Sequence, residues 1–194
     1  MEKLSFFAVT ALAMLASACG GAQGGAATVD PDPHSPRNLY PLLEGSAWSY
    51  DVDTGTAETM LAVTRVSAVV GDRVEVNSGT EPVVYELRAG GIFRPQTETW
   101  LLKAPIAVGA SWPSKSGMTA TVESISERVA TSAGSFDRCV RVEERGGDRG
   151  QEITTIYCPR VGPAFVESRV ALTTSEMPAK VSAKLRGFQI GLAP

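Results

Sequence analysis

The chain has 194 residues, of which 43% are hydrophobic and 20% charged, with a formal net charge of -3. That length suits one domain whose core needs neither metals nor many disulfides. A weak acidic balance, with Arg and Lys scattered singly, argues against a nucleic-acid-binding face and a polybasic grip on anionic lipid.

Residues 1–18 have the parts of an export signal. Lys3 gives a positive start, and Leu4 to Leu15 is apolar apart from Ser5 and Thr10. That run is too short to span a bilayer as a helix. The following Ala16-Ser17-Ala18-Cys19 offers small residues to a narrow peptidase site, then a thiol for acylation. Leu15-Ala16-Ser17-Ala18-Cys19 resembles the lipobox of bacterial lipoproteins, with leucine one position further from the cysteine than usual. The resemblance implies cleavage before Cys19 and two or three fatty-acyl chains, palmitate among them, on that residue. Each buried methylene contributes about 0.8 kcal/mol and one chain holds only reversibly, so several make a permanent anchor. Gly20, where Asp commonly marks inner-membrane retention, favours the outer membrane, facing the periplasm or the surface. The plainer alternative is an ordinary cleaved signal with Cys19 left as a stray thiol.

Residues 19–38 read as a tether. Gly20, Gly21, Gly24 and Gly25 carry no periodicity, and Asp30-Pro31-Asp32-Pro33-His34-Ser35-Pro36 is stiffened by its prolines. Asp30, Asp32 and His34 do not make a metal site on such a linker, because nothing nearby supplies a second shell. His34 is the single histidine of the chain.

Residues 39–194 read as one all-β domain. Trp48, Tyr50 and Val52 alternate with Ser49, Asp51 and Asp53. Thr59 to Val70 predicts a long strand, and Gly71-Asp72 a two-residue hairpin loop into Val74 and Val76. Further strands are predicted over 83–88, 92–94, 97–102, 118–129, 136–144, 152–157, 164–172 and 181–190. Short strands and regular glycine turns mean a single antiparallel meander, as a curved sheet, a sandwich or a barrel.

Gly45-Ser46-Ala47-Trp48 and Gly109-Ala110-Ser111-Trp112 echo one another. Each follows an apolar segment with a proline, and each would anchor a tryptophan in the core. Alternatively Trp48, Tyr50 and Trp112 face a ligand. Pro41 to Tyr50, Val108 to Trp112, Ala133 to Val142 and Tyr157 to Pro163 carry a wider resemblance. They are similar to segments of uncharacterised bacterial lipoproteins and secreted β-proteins, with Gly-x-x-Trp, Gly-x-Phe and Tyr-x-Pro-x-Val-Gly patterns. That resemblance implies fold and location, not chemistry.

Of three cysteines, Cys19 takes the lipid, leaving Cys139 and Cys158. A hairpin symmetric about Asp148-Arg149 sets Val142 against Thr155, Val140 against Tyr157, and Cys139 against Cys158. Opposed residues at a non-hydrogen-bonded position lie about 4.5 Å apart between Cα atoms, which permits a disulfide in an oxidising compartment. A slipped register would leave two thiols instead.

Catalytic signatures are missing from the sequence: no Gly-x-Ser-x-Gly elbow, no His-Glu-x-x-His, no phosphate loop. Glu143 and Glu144 point to opposite faces, wrong for a carboxylate pair, and Asp51 and Asp53 belong to a solvated face. The expectation is a membrane-anchored, non-enzymatic β-domain, without cofactor or metal, for partner binding or envelope maintenance. The alternative is a lipid carrier or sensor. Its apolar cavity would be lined by Trp48, Tyr50, Phe93, Trp100, Trp112 and Phe165.

Overall fold

With one break in mid-chain, each strand pairs with its neighbour in sequence, and the first pairs with the last. The structure is a computed structural model and describes residues 31–147, 150–170 and 179–192. Among these, twelve strands form one antiparallel sheet. The first six are β1 (Ala47–Asp53), β2 (Thr59–Val70), β3 (Arg73–Asn77), β4 (Pro82–Arg88), β5 (Gly91–Arg94) and β6 (Thr99–Lys103). The second six are β7 (Ser111–Pro113), β8 (Met118–Thr131), β9 (Gly134–Gly146), β10 (Gln151–Cys158), β11 (Gly162–Val170) and β12 (Ala179–Gln189).

The two edges of this sheet are β6 and β7, which follow one another in sequence. Residues 104–110 join them and reach about 25 Å at full stretch, so the edges must curl toward each other. The result is a nearly closed barrel with its seam in mid-chain. The meander predicted from alternation is therefore found, and β2 has the bounds read from the sequence. The three-residue β7 falls at the second tryptophan segment, read from sequence as a strand entry without bounds.

The echo between the two tryptophan segments is a structural repeat. Gly45 N–H donates to Val66 O at 3.3 Å, and Val66 N–H donates to Ser46 O at 2.8 Å. Gly109 N–H donates to Val122 O at 2.8 Å, and Val122 N–H donates to Ala110 O at 2.9 Å. Gly45 and Gly109 take φ of 80° and 84°, the left-handed conformation that glycine adopts without penalty. Trp48 then pairs with Thr64, and Trp112 with Ala120, at equivalent places in the β1–β2 and β7–β8 ladders. One turn thus opens each half of the barrel and delivers a buried tryptophan.

The end at which β1 begins is closed from inside by the N-terminal segment. Ser35 caps a single helical turn, α1 (Pro36–Leu39), its Oγ accepting from Asn38 N–H at 3.3 Å. Proline at the first helical position suits that start. Leu39, Tyr40 and Leu42 are buried, and the Tyr40 ring meets Trp48, Tyr85 and Tyr157 on three different strands. Residues read as the end of the tether therefore belong to the folded body. His34 Nε2 lies 3.0 Å from Arg138 O, Arg37 donates to Leu87 O, and Arg160 N–H donates to Asn38 O. Apolar burial of Leu39 and Tyr40 outweighs the stiffness and polarity that marked this stretch as linker.

Cys139 and Cys158 form a disulfide with Cα atoms 4.2 Å apart. Val142 pairs with Thr155 and Val140 with Tyr157, as hairpin symmetry requires. The β8–β9 hairpin extends past this bridge, bends at successive bulges, and reaches β12, where Ala133 N–H donates to Leu185 O.

Candidate functional site

Alternation decides what faces the barrel interior. On β9, Val140, Val142 and Glu144 share the inner face, and on β10 Ile153, Thr155 and Tyr157 do. Near the closed end these positions are Val140, Val142 and Tyr157, all buried in the core. Toward the opposite end Glu144, Thr155 and Ile153 face a cleft of about 460 Å³. Such a volume is ordinary for a small-molecule site.

Tyr40, Tyr85 and Tyr157 form the cleft floor, and Arg94 and Glu144 its wall. Ser78 and Lys115, from loops at the open end, line the rim with Gln151 and Ser168. Glu144 reaches Arg94 from across the seam: Arg94 Nη1 lies 3.5 Å from Glu144 Oε1. Ser114, just after β7, ties them together. Its Oγ accepts from Arg94 Nη1 at 3.1 Å and donates to Glu144 Oε1. Both charged side chains are about nine-tenths buried.

Burial pushes every phenol here upward in pKa. For Tyr40 the neighbouring tyrosines add to burial; for Tyr157 the Glu144 carboxylate does. For Tyr85 burial leads, and the adjacent Arg94 offsets part of the rise. These groups stay protonated, and so remain hydrogen-bond donors.

Glu143 points the other way, as strand alternation requires. It is buried on the outer face between Arg141, at 2.6 Å, and Arg145, which also bonds Glu152 at 3.1 Å.

The aromatics singled out from sequence do not line the cleft. Trp48, Tyr50 and Trp112 are buried in the core. Trp48 Nε1 donates to Val161 O at 2.5 Å, and Tyr50 O–H donates to Pro163 O at 3.1 Å. Phe93 and Trp100 stack edge to face, with the Arg88 guanidinium over Phe93. The cleft is thus mixed polar and aromatic, not the apolar cavity expected of a lipid carrier. Arg94 was missed, and Glu144 was weighed only against Glu143, though each follows an apolar residue two positions earlier on the inner face. A charge at an inward position was the available signal. Cys19 and Asp30 lie outside the described residues. Among those described, no group of three His, Cys, Asp or Glu side chains is placed to hold a metal ion.

Two solved structures are similar to this chain over about three quarters of its length. One is a protein described as exported, with a YmcC-like fold, from Bacteroides fragilis NCTC 9343. It is 16% identical, with a TM-score of 0.46 over 77% of this chain and 98% of that one. The other is described as a lipoprotein from Parabacteroides distasonis ATCC 8503. It is 15% identical, with a TM-score of 0.38 over 78% of this chain and 98% of that one. No protein-family model and no curated protein matches the chain.

Proposed function

We propose that the chain is a lipid-anchored, non-enzymatic recognition domain of the bacterial envelope. One relationship carries the reading: the N-terminal segment docks at the closed end of the barrel, opposite the mouth of the cleft. A chain held through Cys19 would turn its closed end toward the membrane and offer the cleft to what lies beyond. The single histidine sits at the closed end against Arg138 O, so no imidazole base reaches the cleft. The arrangement there is a mutually neutralised ion pair with hydroxyls, which suits binding more than bond making.

The test replaces Cys19 by serine in the full-length precursor and follows fatty-acid labelling and fractionation. Wild type should label and sediment with membranes, whereas Cys19→Ser should remain an unlabelled precursor. Continued labelling of Cys19→Ser would remove the anchor from this proposal. Recognition through the cleft is tested with a photoreactive residue in place of Ser78 on the rim. It should crosslink an envelope component that the same residue at Asp72, at the closed end, does not.

A further inference from the structure

The cleft has a chemistry of its own, independent of whether Cys19 carries lipid. Of the three charges along the cleft, Arg94 and Glu144 are spent on each other and Lys115 stands out at the rim. Arg94 and Glu144 are buried as a pair, with Ser114 bonded to both. A strongly charged ligand would have to part them, leaving one buried charge without its counterion, which is costly. What the cleft has unspent is neutral hydrogen bonding of both senses. Gln151, whose Nε2 donates to Ser168 Oγ at 3.2 Å, keeps its carbonyl and second N–H, Ser168 keeps its O–H, and Thr64 and Ser78 each donate and accept. A ligand hydroxyl does the same, so it satisfies such a wall in whichever direction each bond runs. The floor differs again. Tyr40, Tyr85 and Tyr157 present ring carbon with phenols that burial keeps protonated, and Leu101 and Ile153 add apolar surface. Hydroxyl edges and an apolar face together describe a pyranose ring, whose C–H face packs on aromatic carbon while its hydroxyls point sideways.

We propose that this cleft binds one neutral, hydroxyl-rich ring, of the kind a sugar unit presents. A volume of about 460 Å³ is ample for such a ring. The Arg94–Ser114–Glu144 group then serves as a preformed donor and acceptor edge. It stays paired while its remaining lone pairs and N–H groups meet ligand hydroxyls.

The experiment is saturation-transfer difference NMR on the mature lipidated chain, in micelles of a detergent without a sugar headgroup. The probes are the methyl glycosides of glucose, galactose and N-acetylglucosamine, with glucuronate and inorganic phosphate as anionic arms. At least one neutral glycoside should give a saturable signal with a dissociation constant of roughly a millimolar. Phosphate should not compete for it. Glu144→Gln and, on the rim, Gln151→Ala should each weaken that binding about tenfold, the effect of losing a ligand hydrogen bond in a confined site. If Glu144→Gln does not fold, Gln151→Ala decides alone. Three results would overturn the proposal: no saturable signal from any neutral glycoside, affinity unchanged in the folded variants, or competition by phosphate or glucuronate, which would make this an anion site.

Discussion

Trp48 and Trp112 occupy equivalent positions in the two halves of the barrel, yet only Trp48 has a partner for its indole nitrogen. Trp48 Nε1 donates to Val161 O, whereas Trp112 Nε1 is buried without a partner among the described residues. The repeat therefore delivers one side chain twice into surroundings that differ. Val161 O belongs to the tight turn before Gly162, whose φ is 106° and whose absent Cβ would fall 2.7 Å from Trp48 Nε1. Among the described residues no glycine comes so close to Trp112.

That asymmetry is measurable. Trp48→Phe strands the Val161 carbonyl, a loss of about 1–3 kcal/mol beyond the change in packing. Trp112→Phe removes a buried N–H that already lacks a partner, and so recovers about that desolvation cost against the lost volume. Urea unfolding should show Trp48→Phe to be the more damaging change by at least about 1 kcal/mol. Equal losses would mean that the indole of Trp112 is satisfied in solution.

The Cys139–Cys158 bridge closes a loop with a sequence separation of 19. Chain-entropy reasoning gives such a loop about 3 kcal/mol of stabilisation. The double variant Cys139→Ala with Cys158→Ala should fold and unfold at lower urea by a corresponding amount. Reducing agent should shift wild type in the same direction and leave the double variant unmoved. A variant sensitive to reductant would exclude this bridge as the source of the effect.

Why was this hairpin legible from sequence while the cleft was not? Register in a hairpin is local. The Gly146-to-Gly150 turn and a period of two fix which residues oppose, and Cys139 follows from Val142 by counting. Barrel closure is not local, because strands β5 and β9 are brought together by the curvature of the whole sheet. Glu144 meets Arg94 only after that closure, so neither residue signals its partner in the sequence. The same holds for Tyr40. The residues just before it, 31–38, look like linker because proline and aspartate dominate their composition, yet the buried Leu39 and Tyr40 that follow draw them into the folded body.

Arg94 and Glu144 also invite a test of their energetics. Each side chain is about a tenth exposed, so removing one partner leaves the other charge poorly solvated. Glu144→Ala should cost about 3 kcal/mol, while Arg94→Met combined with Glu144→Leu should lie within about 1 kcal/mol of wild type. A thermodynamic cycle through the single and double variants separates the two cases. If the apolar pair is as destabilised as Glu144→Ala, the ion pair supports the fold rather than the cleft.

The buried phenols make stability depend on alkaline pH in a definite direction. Tyr40, Tyr50, Tyr85 and Tyr157 are all raised, with burial the leading cause in each. In the unfolded chain a tyrosine loses its proton near pH ~10, while in the folded chain these keep theirs to higher pH. Above that point the unfolded state binds fewer protons than the native state, so stability falls as pH rises. Their contribution is complete below about pH 10 and is lost through the folded-state values. The acid side runs oppositely. Burial alone would raise the Glu167 carboxyl, but hydrogen bonds from Lys180 and Arg169 outweigh it and hold its pKa below the usual value. Its contribution is therefore present above the ordinary glutamate range and lost as pH falls through the lowered value. Urea midpoints measured across pH should fall at both limbs. Tyr157→Phe should shallow the alkaline limb alone, and Glu167→Gln the acid limb alone. An alkaline limb of unchanged slope in Tyr157→Phe would show that this phenol ionises as freely in the folded barrel as in the open chain.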